Sequence, residues 1–405
     1  MNLTARRDTA LLICLVLSLG LLAGPSAAAP SGPPVRIGSA LSLTGPSASL
    51  AIFRKVAGEI AVEQLNRKNG LLGRPVEWTV LDDQSKPELT RSHYERLITL
   101  DKVDLVMGAF GTASILAAIP VVQRYQKLFV TDSMAMPHLS TYDMHFPGSG
   151  VGQDPARTFP TTVYEALAAT GRPPKTIAIV TSKFPSVYFI SVGARNLAAT
   201  RGMDVVLYLE FEVGTRDFGP IAARIKDANP DFLWVGALGL DGNMLLDALK
   251  KIDYGPRGHF YLFPAPGPML QTPAATLALA VTTFEELPPF TDNPVATEFI
   301  KVFHERAAKQ KLPYPAVENQ AALSYSAWQI LEAAVTATKS LDDKVLARWL
   351  KTNRVDTIIG KLRFDGPTNF GDDLYRLKQV QDGRWVVVWP REWATPGTRL
   401  IYPAP

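Results

Sequence analysis

The stretch Val103–Gln123 reads VDLVMGAFGTASILAAIPVVQ. Its first residues are an apolar, β-prone run, and the run breaks into the turn Gly108–Gly111. Thr112 then opens a segment in which Ile115, Ile119 and Val122 recur at helical spacing and can face a sheet. A strand, a Gly-rich turn and a helix N-cap at Thr112 make one half of a doubly wound unit. Backbone N–H groups and the helix dipole at that point favour an anionic group such as a carboxylate. The next apolar run, Leu128–Thr131, ends in Asp132 and Ser133, which sets a second polar loop beside the first. Thr112 and Ser133 can be read as helix caps only. Two adjacent strand ends opening on one crevice favour a binding site.

The same alternation extends in both directions. Strands are expected at Val35–Leu43, Val76–Leu81, Val103–Ala109 and Leu128–Thr131, separated by helices such as the one carrying Ile52, Val56, Ile60 and Leu65. Asn69 and Gly70 end that helix, and Pro87 starts the next. After a loop rich in Pro, Gly and Ser around Pro147–Pro155, strands recur at Thr176–Thr181, Val205–Phe211, Phe232–Ala237 and Phe260–Phe263. A largely helical block covers Glu285–Asn353, and Lys361–Phe364, Tyr375–Val380 and Trp385–Trp389 close the chain as strands. Two successive α/β runs imply two doubly wound, Rossmann-like lobes. No repeat of 20 to 50 residues and no low-complexity tract is present.

The N-terminus carries Arg6 and Arg7, an apolar run from Leu11 to Leu22, then Gly24, Pro25, Ser26 and three alanines. This is the pattern of an export signal over residues 1–29, too short in its apolar part to span a bilayer. The only cysteine, Cys14, lies inside that run and not at its end, where a lipid-bearing cysteine would stand. The exported chain, about 376 residues, then has no thiol for disulfides, metals or catalysis. Its 42 basic and 38 acidic residues give the whole chain a net charge of +4 without a basic run, so nucleic acid is not an expected partner.

Catalytic signatures are absent. There is no phosphate loop, no G-x-G-x-x-G after the first strand, no H-E-x-x-H and no nucleophile elbow. The five histidines show no i, i+4 pair, and His138 and His145 read as surface or hydrogen-bonding residues. Asp82 and Asp83 are adjacent at a strand end, where side chains diverge, so a structural or capping role is expected. No metal, cofactor or catalytic residue is assigned.

Several segments together resemble the periplasmic leucine/isoleucine/valine-binding proteins of branched-chain amino acid ABC importers. They are IGSALSLTGPSA (Ile37–Ala48), NRKNGLLGRPVE (Asn66–Glu77), LDDQSKP (Leu81–Pro87), VDLVMG (Val103–Gly108), FEVGTRDFGPIAARIKDANPDFLWVG (Phe211–Gly236) and NRVDTIIGKLRFD (Asn353–Asp365). The resemblance spans nearly the whole exported chain, in order. It implies a type I periplasmic binding fold, with two lobes joined by a three-strand hinge and closing around a ligand. Lobe one would comprise residues 30–155 with 286–373, and lobe two residues 156–285 with 374–405. The implied partners are a small-molecule solute and permease subunits in the inner membrane, with the protein itself periplasmic and monomeric.

The resemblance also carries ligand groups onto this chain. The carboxylate-binding hydroxyl falls on Thr112 beside Gly111, and the supporting loop falls on Ser133, Met134 and Ala135. Ala135 stands where a second hydroxyl helps hold the amino group, and Ala265 where an acid neutralises the ligand ammonium. Leu238 takes the place of a tyrosine and Leu50 that of an aromatic residue. Phe184 or Tyr188 stands in for a further tyrosine, and Ser85 and Gly111 replace a cysteine pair. A buried ammonium without its carboxylate costs several kcal/mol, on the order of the desolvation penalty of one ion. The cleft is therefore expected to take a small hydrophobic or aromatic carboxylate against Leu50, Phe110, Phe184, Leu238 and Phe263. An amino acid remains the alternative if Asp241 or another acid takes over the ammonium, and a ligand sensor for a membrane receptor is the other.

Overall fold

Parallel strands buried on both faces need helices on both sides, and the chain supplies them by alternation. A computed structural model describes residues 29–404; the expected export signal, residues 1–29, lies outside these but for Ala29. The first sheet is built from β1 (Val35–Leu41), β2 (Val76–Asp82), β3 (Leu105–Met107), β4 (Phe129–Thr131) and β5 (His145–Pro147). They lie in the order β2-β1-β3-β4-β5, all parallel. Helices Ala48–Arg67, Pro87–Thr99 and Thr112–Arg124 connect them.

The second sheet holds β6 (Thr176–Ser182), β7 (Asp204–Phe211), β8 (Phe232–Gly239), β9 (His259–Pro264) and β10 (Leu279–Thr282). A helical block, Pro294–Gln310, Asn319–Thr338 and Asp343–Thr352, follows and packs back on the first lobe, chiefly on helix Ala48–Arg67. The two-residue-turn hairpin of β11 (Val355–Thr357) and β12 (Gly360–Leu362) then leads to β13 (Arg376–Gln381) and β14 (Arg384–Trp389). These last two join the second sheet antiparallel, in the order β14-β13-β10-β9-β8-β6-β7. The chain thus passes between the lobes three times, giving the type I periplasmic binding architecture. No described helix is long and apolar enough to cross a membrane.

The expected strands are present, with three additions, one of which is Val355–Thr357, paired with β12. His145–Pro147, just ahead of the loop expected around Pro147–Pro155, pairs with β4. Leu279–Thr282, taken for no element in the sequence, fills the slot between β9 and β13. All three are three or four residues long, too short to show a period of two. The three crossings are tied to one another. Leu374 N–H donates to Gly150 O at 2.8 Å, Thr283 N–H donates to Asn319 Oδ1 at 2.8 Å, and Lys378 pairs with Glu285 at 2.6 Å with both side chains buried.

Candidate functional site

The turn after β3 is tight because three of its residues adopt left-handed backbone: Gly108 (φ +89°), Ala109 (φ +63°) and Gly111 (φ +85°). Gly111, not Thr112, is the N-cap, and helix Thr112–Arg124 has no side-chain cap. This corrects the capping expectation. Thr112 is fully buried, and its hydroxyl accepts from Ala135 N–H at 3.2 Å. The Ser133 hydroxyl accepts from Gly111 N–H at 3.0 Å. The two polar loops therefore use their hydroxyls first to hold each other.

Between the lobes, at this point, is a cavity of about 30 Å³. Phe110, Gly111, Ser133 and Ala135 line it from lobe one, and Phe184, Ser186, Leu238 and Phe263 from lobe two. The hinge adds Ser149, Val151 and Tyr375, and helix Asn319–Thr338 adds Gln320 and Leu323. Gly111 sits so close to Phe184 that a Cβ there would lie 3.2 Å from its Cζ. Of the residues expected at the ligand, four stand outside the lining. Leu50 is packed behind Phe110 with Leu41 and Ala51, and Thr112 and Met134 are fully buried behind the loops. Ala265 is buried as the N-cap of the short helix Pro266–Gln271, its N–H donating to Gly239 O at 2.9 Å.

One charged side chain lines the cavity, and the sequence reading missed it. Arg54 is 1 % exposed in helix Ala48–Arg67. Its guanidinium pairs with Asp132 at the end of β4, donates to Gln320 Oε1, and lies 4.4 Å above the Phe110 ring. Nε is buried without a hydrogen-bond partner, as is Oδ1 of Asp132. Burial raises the Asp132 carboxyl above its ordinary range, opposed by Arg54. The available signal was an arginine at helical spacing with Leu50, Ala57 and Ala61, where an apolar residue belongs.

The remaining candidates are structural. Asp83 accepts from the hydroxyls of Ser42 (2.7 Å) and Thr90 (2.8 Å), and Asp82 from Thr44 Oγ1 (2.7 Å). His145 is fully buried between Thr131 and Ser140, and burial pushes it down to about 3. His138 packs on Phe189 with ring centroids 4.9 Å apart. Among the described residues no three His, Cys, Asp or Glu side chains gather as a metal site would need.

Comparison with known proteins agrees with this architecture. Residues 34–384 match the family model described as periplasmic binding protein. The Leu/Ile/Val-binding protein of Escherichia coli K12 is 25 % identical over 333 residues, 80 % of this chain and 84 % of that protein. A leucine binding protein from Thermotoga maritima superposes with a TM-score of 0.75 at 21 % identity, covering 89 % of this chain and 99 % of the other. An ABC transporter solute binding protein from R. palustris, solved in complex with benzoate, gives a TM-score of 0.76 at 16 % identity, covering 91 % and 99 %. With a family model spanning most of its length and the fold to match, the chain belongs to the periplasmic binding protein family, alongside the Leu/Ile/Val-binding proteins.

Proposed function

We propose that this protein is the solute-binding subunit of an ABC importer that captures a small hydrophobic or aromatic carboxylate between its lobes and presents it to permease subunits in the inner membrane. The family relation supports the importer role and a binding function without a catalytic step. The ligand class rests on one observation: the cavity wall is largely apolar, and its only charged lining side chain is the buried cation Arg54. A buried guanidinium lining an otherwise apolar space suits a carboxylate, because an ionised acceptor forms the strongest bond to it. The place at which the resemblance expects an acid for a ligand ammonium holds Ala265, which is buried and apolar. An α-amino acid would bring a positive charge next to Arg54 with no acid lining the cavity. The benzoate bound by the R. palustris protein shows that this fold can hold an aromatic acid.

Thermal unfolding against leucine, valine, phenylalanine, benzoate, 4-hydroxybenzoate, phenylpropanoids and short fatty acids tests the reading. A ligand at 100 times its dissociation constant stabilises by about 2.7 kcal/mol, a clear shift of the midpoint. Aromatic or aliphatic acids should shift it and leucine and valine should not. A shift with leucine or valine alone would make the protein an amino-acid binder.

A further inference from the structure

The crevice continues past the cavity at Arg54. Phe184 and Leu238 line that cavity on one side and a wider vestibule of about 490 Å³ on the other. The vestibule lies between the start of helix Ala48–Arg67 in lobe one, with Ser47 and Ser49, and the segments after the strands of lobe two, with Ser182, Thr215 and Asp241. The two spaces differ in size and in charge. A water needs about 10–15 Å³ of such volume, so the inner cavity is the size of a carboxylate group and not of a ring. The vestibule falls in the range of small-molecule pockets, roughly 300–1,000 Å³. Arg54 lines only the inner space and Asp241 only the outer one.

Asp241 opens helix Asp241–Lys251 and is partly buried. Burial alone acts on its carboxyl, pushing it up to about 6, with no hydrogen bond or counter-charge to hold it down. An acid so placed, facing a cavity large enough for a ligand, is an acceptor awaiting a donor. The exposed Arg216 of the same vestibule forms no ion pair with it.

We infer that the ligand binds carboxylate-first, its acid group in the inner cavity on Arg54, its apolar body between Phe184 and Leu238, and a hydroxyl or amine at its far end on Asp241. This rests on the carboxylate reading and narrows it to an elongated acid whose polar ends are separated by an apolar spacer. An α-amino acid, with ammonium and carboxylate on one carbon, cannot reach both groups. Asp241 also selects orientation, since an acid entering the wrong way would set two carboxylates together.

The test is calorimetric titration of the mature protein with 3-phenylpropanoate, 3-(4-hydroxyphenyl)propanoate and leucine. The first two differ only in the distal hydroxyl. The wild type should bind the hydroxylated acid at least about tenfold more tightly, as expected for a hydrogen bond to a charged group. Asp241→Ala should abolish that preference and leave the affinity for 3-phenylpropanoate within about twofold. Equal binding of the two acids by the wild type, or a preference that survives in Asp241→Ala, overturns the inference while the carboxylate reading stands. If Asp241→Ala does not fold, the wild-type comparison decides alone. Binding of leucine with neither acid bound overturns both, as does failure of all three to bind.

Discussion

At the scale of the residue, the molecule turns on a charge placed where sequence patterning expects a hydrocarbon. Arg54 is held by Asp132, Gln320 and the face of Phe110, so its orientation is set before any ligand arrives. Such preorganisation reduces the ordering cost of binding. It also makes the pair vulnerable. Arg54→Met alone strands the Asp132 carboxylate in the interior and should destabilise by about 3–5 kcal/mol, measured by urea unfolding. The double substitution Arg54→Met with Asp132→Leu should recover most of that stability, because an apolar pair needs no counter-charge. It should nevertheless lose carboxylate binding by at least about 100-fold in calorimetry, the contribution of a charge-assisted bond. Retained binding in the double variant would remove Arg54 from the site.

At the scale of the element, the decisive piece is the turn between β3 and helix Thr112–Arg124. Its left-handed residues let the backbone pass under Phe184, and its N–H at Gly111 is spent on Ser133. Gly111→Ala should cost about 1–3 kcal/mol from the positive φ alone. Because the new methyl would lie 3.2 Å from Phe184 on the opposite lobe, it should also weaken ligand binding. The two effects separate by measuring unfolding without ligand and affinity by titration. A loss of stability with unchanged affinity would mean that Phe184 does not need to approach the turn in the bound state.

The limits of sequence reading also show at this scale. The strand–Gly-turn–helix at Val103–Gln123 was legible because its apolar run, glycines and helical spacing are all local. Its cap was misassigned by one residue, since Thr112 and Gly111 can each occupy that position and tertiary packing chose between them. Thr112 is drawn inward by Ala135 N–H, which lies on a different loop. Phe110, Gly111, Ser133, Ala135, Phe184 and Leu238, expected at a ligand from motif and resemblance, come together on the lining of the cavity between the lobes. Ser149, Val151 and Tyr375 were not found, because they lie in hinge segments whose approach has no local signature.

At the scale of the whole molecule, a buried carboxyl at the start of helix Asn319–Thr338 couples folding to pH. Glu318, 3 % exposed at the start of helix Asn319–Thr338, accepts from Ala321 N–H at 2.8 Å. Burial pushes its carboxyl up to about 7, against the pull of backbone N–H groups, Arg54 and Lys378. The folded pKa is therefore above that of the unfolded chain, near 4.5. Between these values the native state holds a proton that the unfolded state has released, so stability falls as pH rises through this window. Glu318→Gln, which mimics the protonated acid, should remove that dependence. The stability of the wild type relative to Glu318→Gln should decline by up to roughly 3 kcal/mol from pH 5 to pH 8. A constant difference in denaturant titrations across that range would show that Glu318 is ionised throughout.

What the sequence determined by itself is the alternation of strands and helices, the two-lobed plan, and the strand ends that border the cavity between the lobes. These follow from apolar periodicity, from glycine and proline punctuation, and from resemblance along the chain, all of which are ordered in one dimension. Tertiary structure alone decided the chemistry of the cavity. It brought Arg54 to Gln320, 266 residues away, and to Asp132 at the end of β4. It set Phe184 against Gly111 across the lobes and placed Asp241 in a vestibule of its own. The physical reason is that the cost of burying a charge depends on which groups surround it in space, and those neighbours come from helices, loops and hinge strands whose meeting no local pattern encodes.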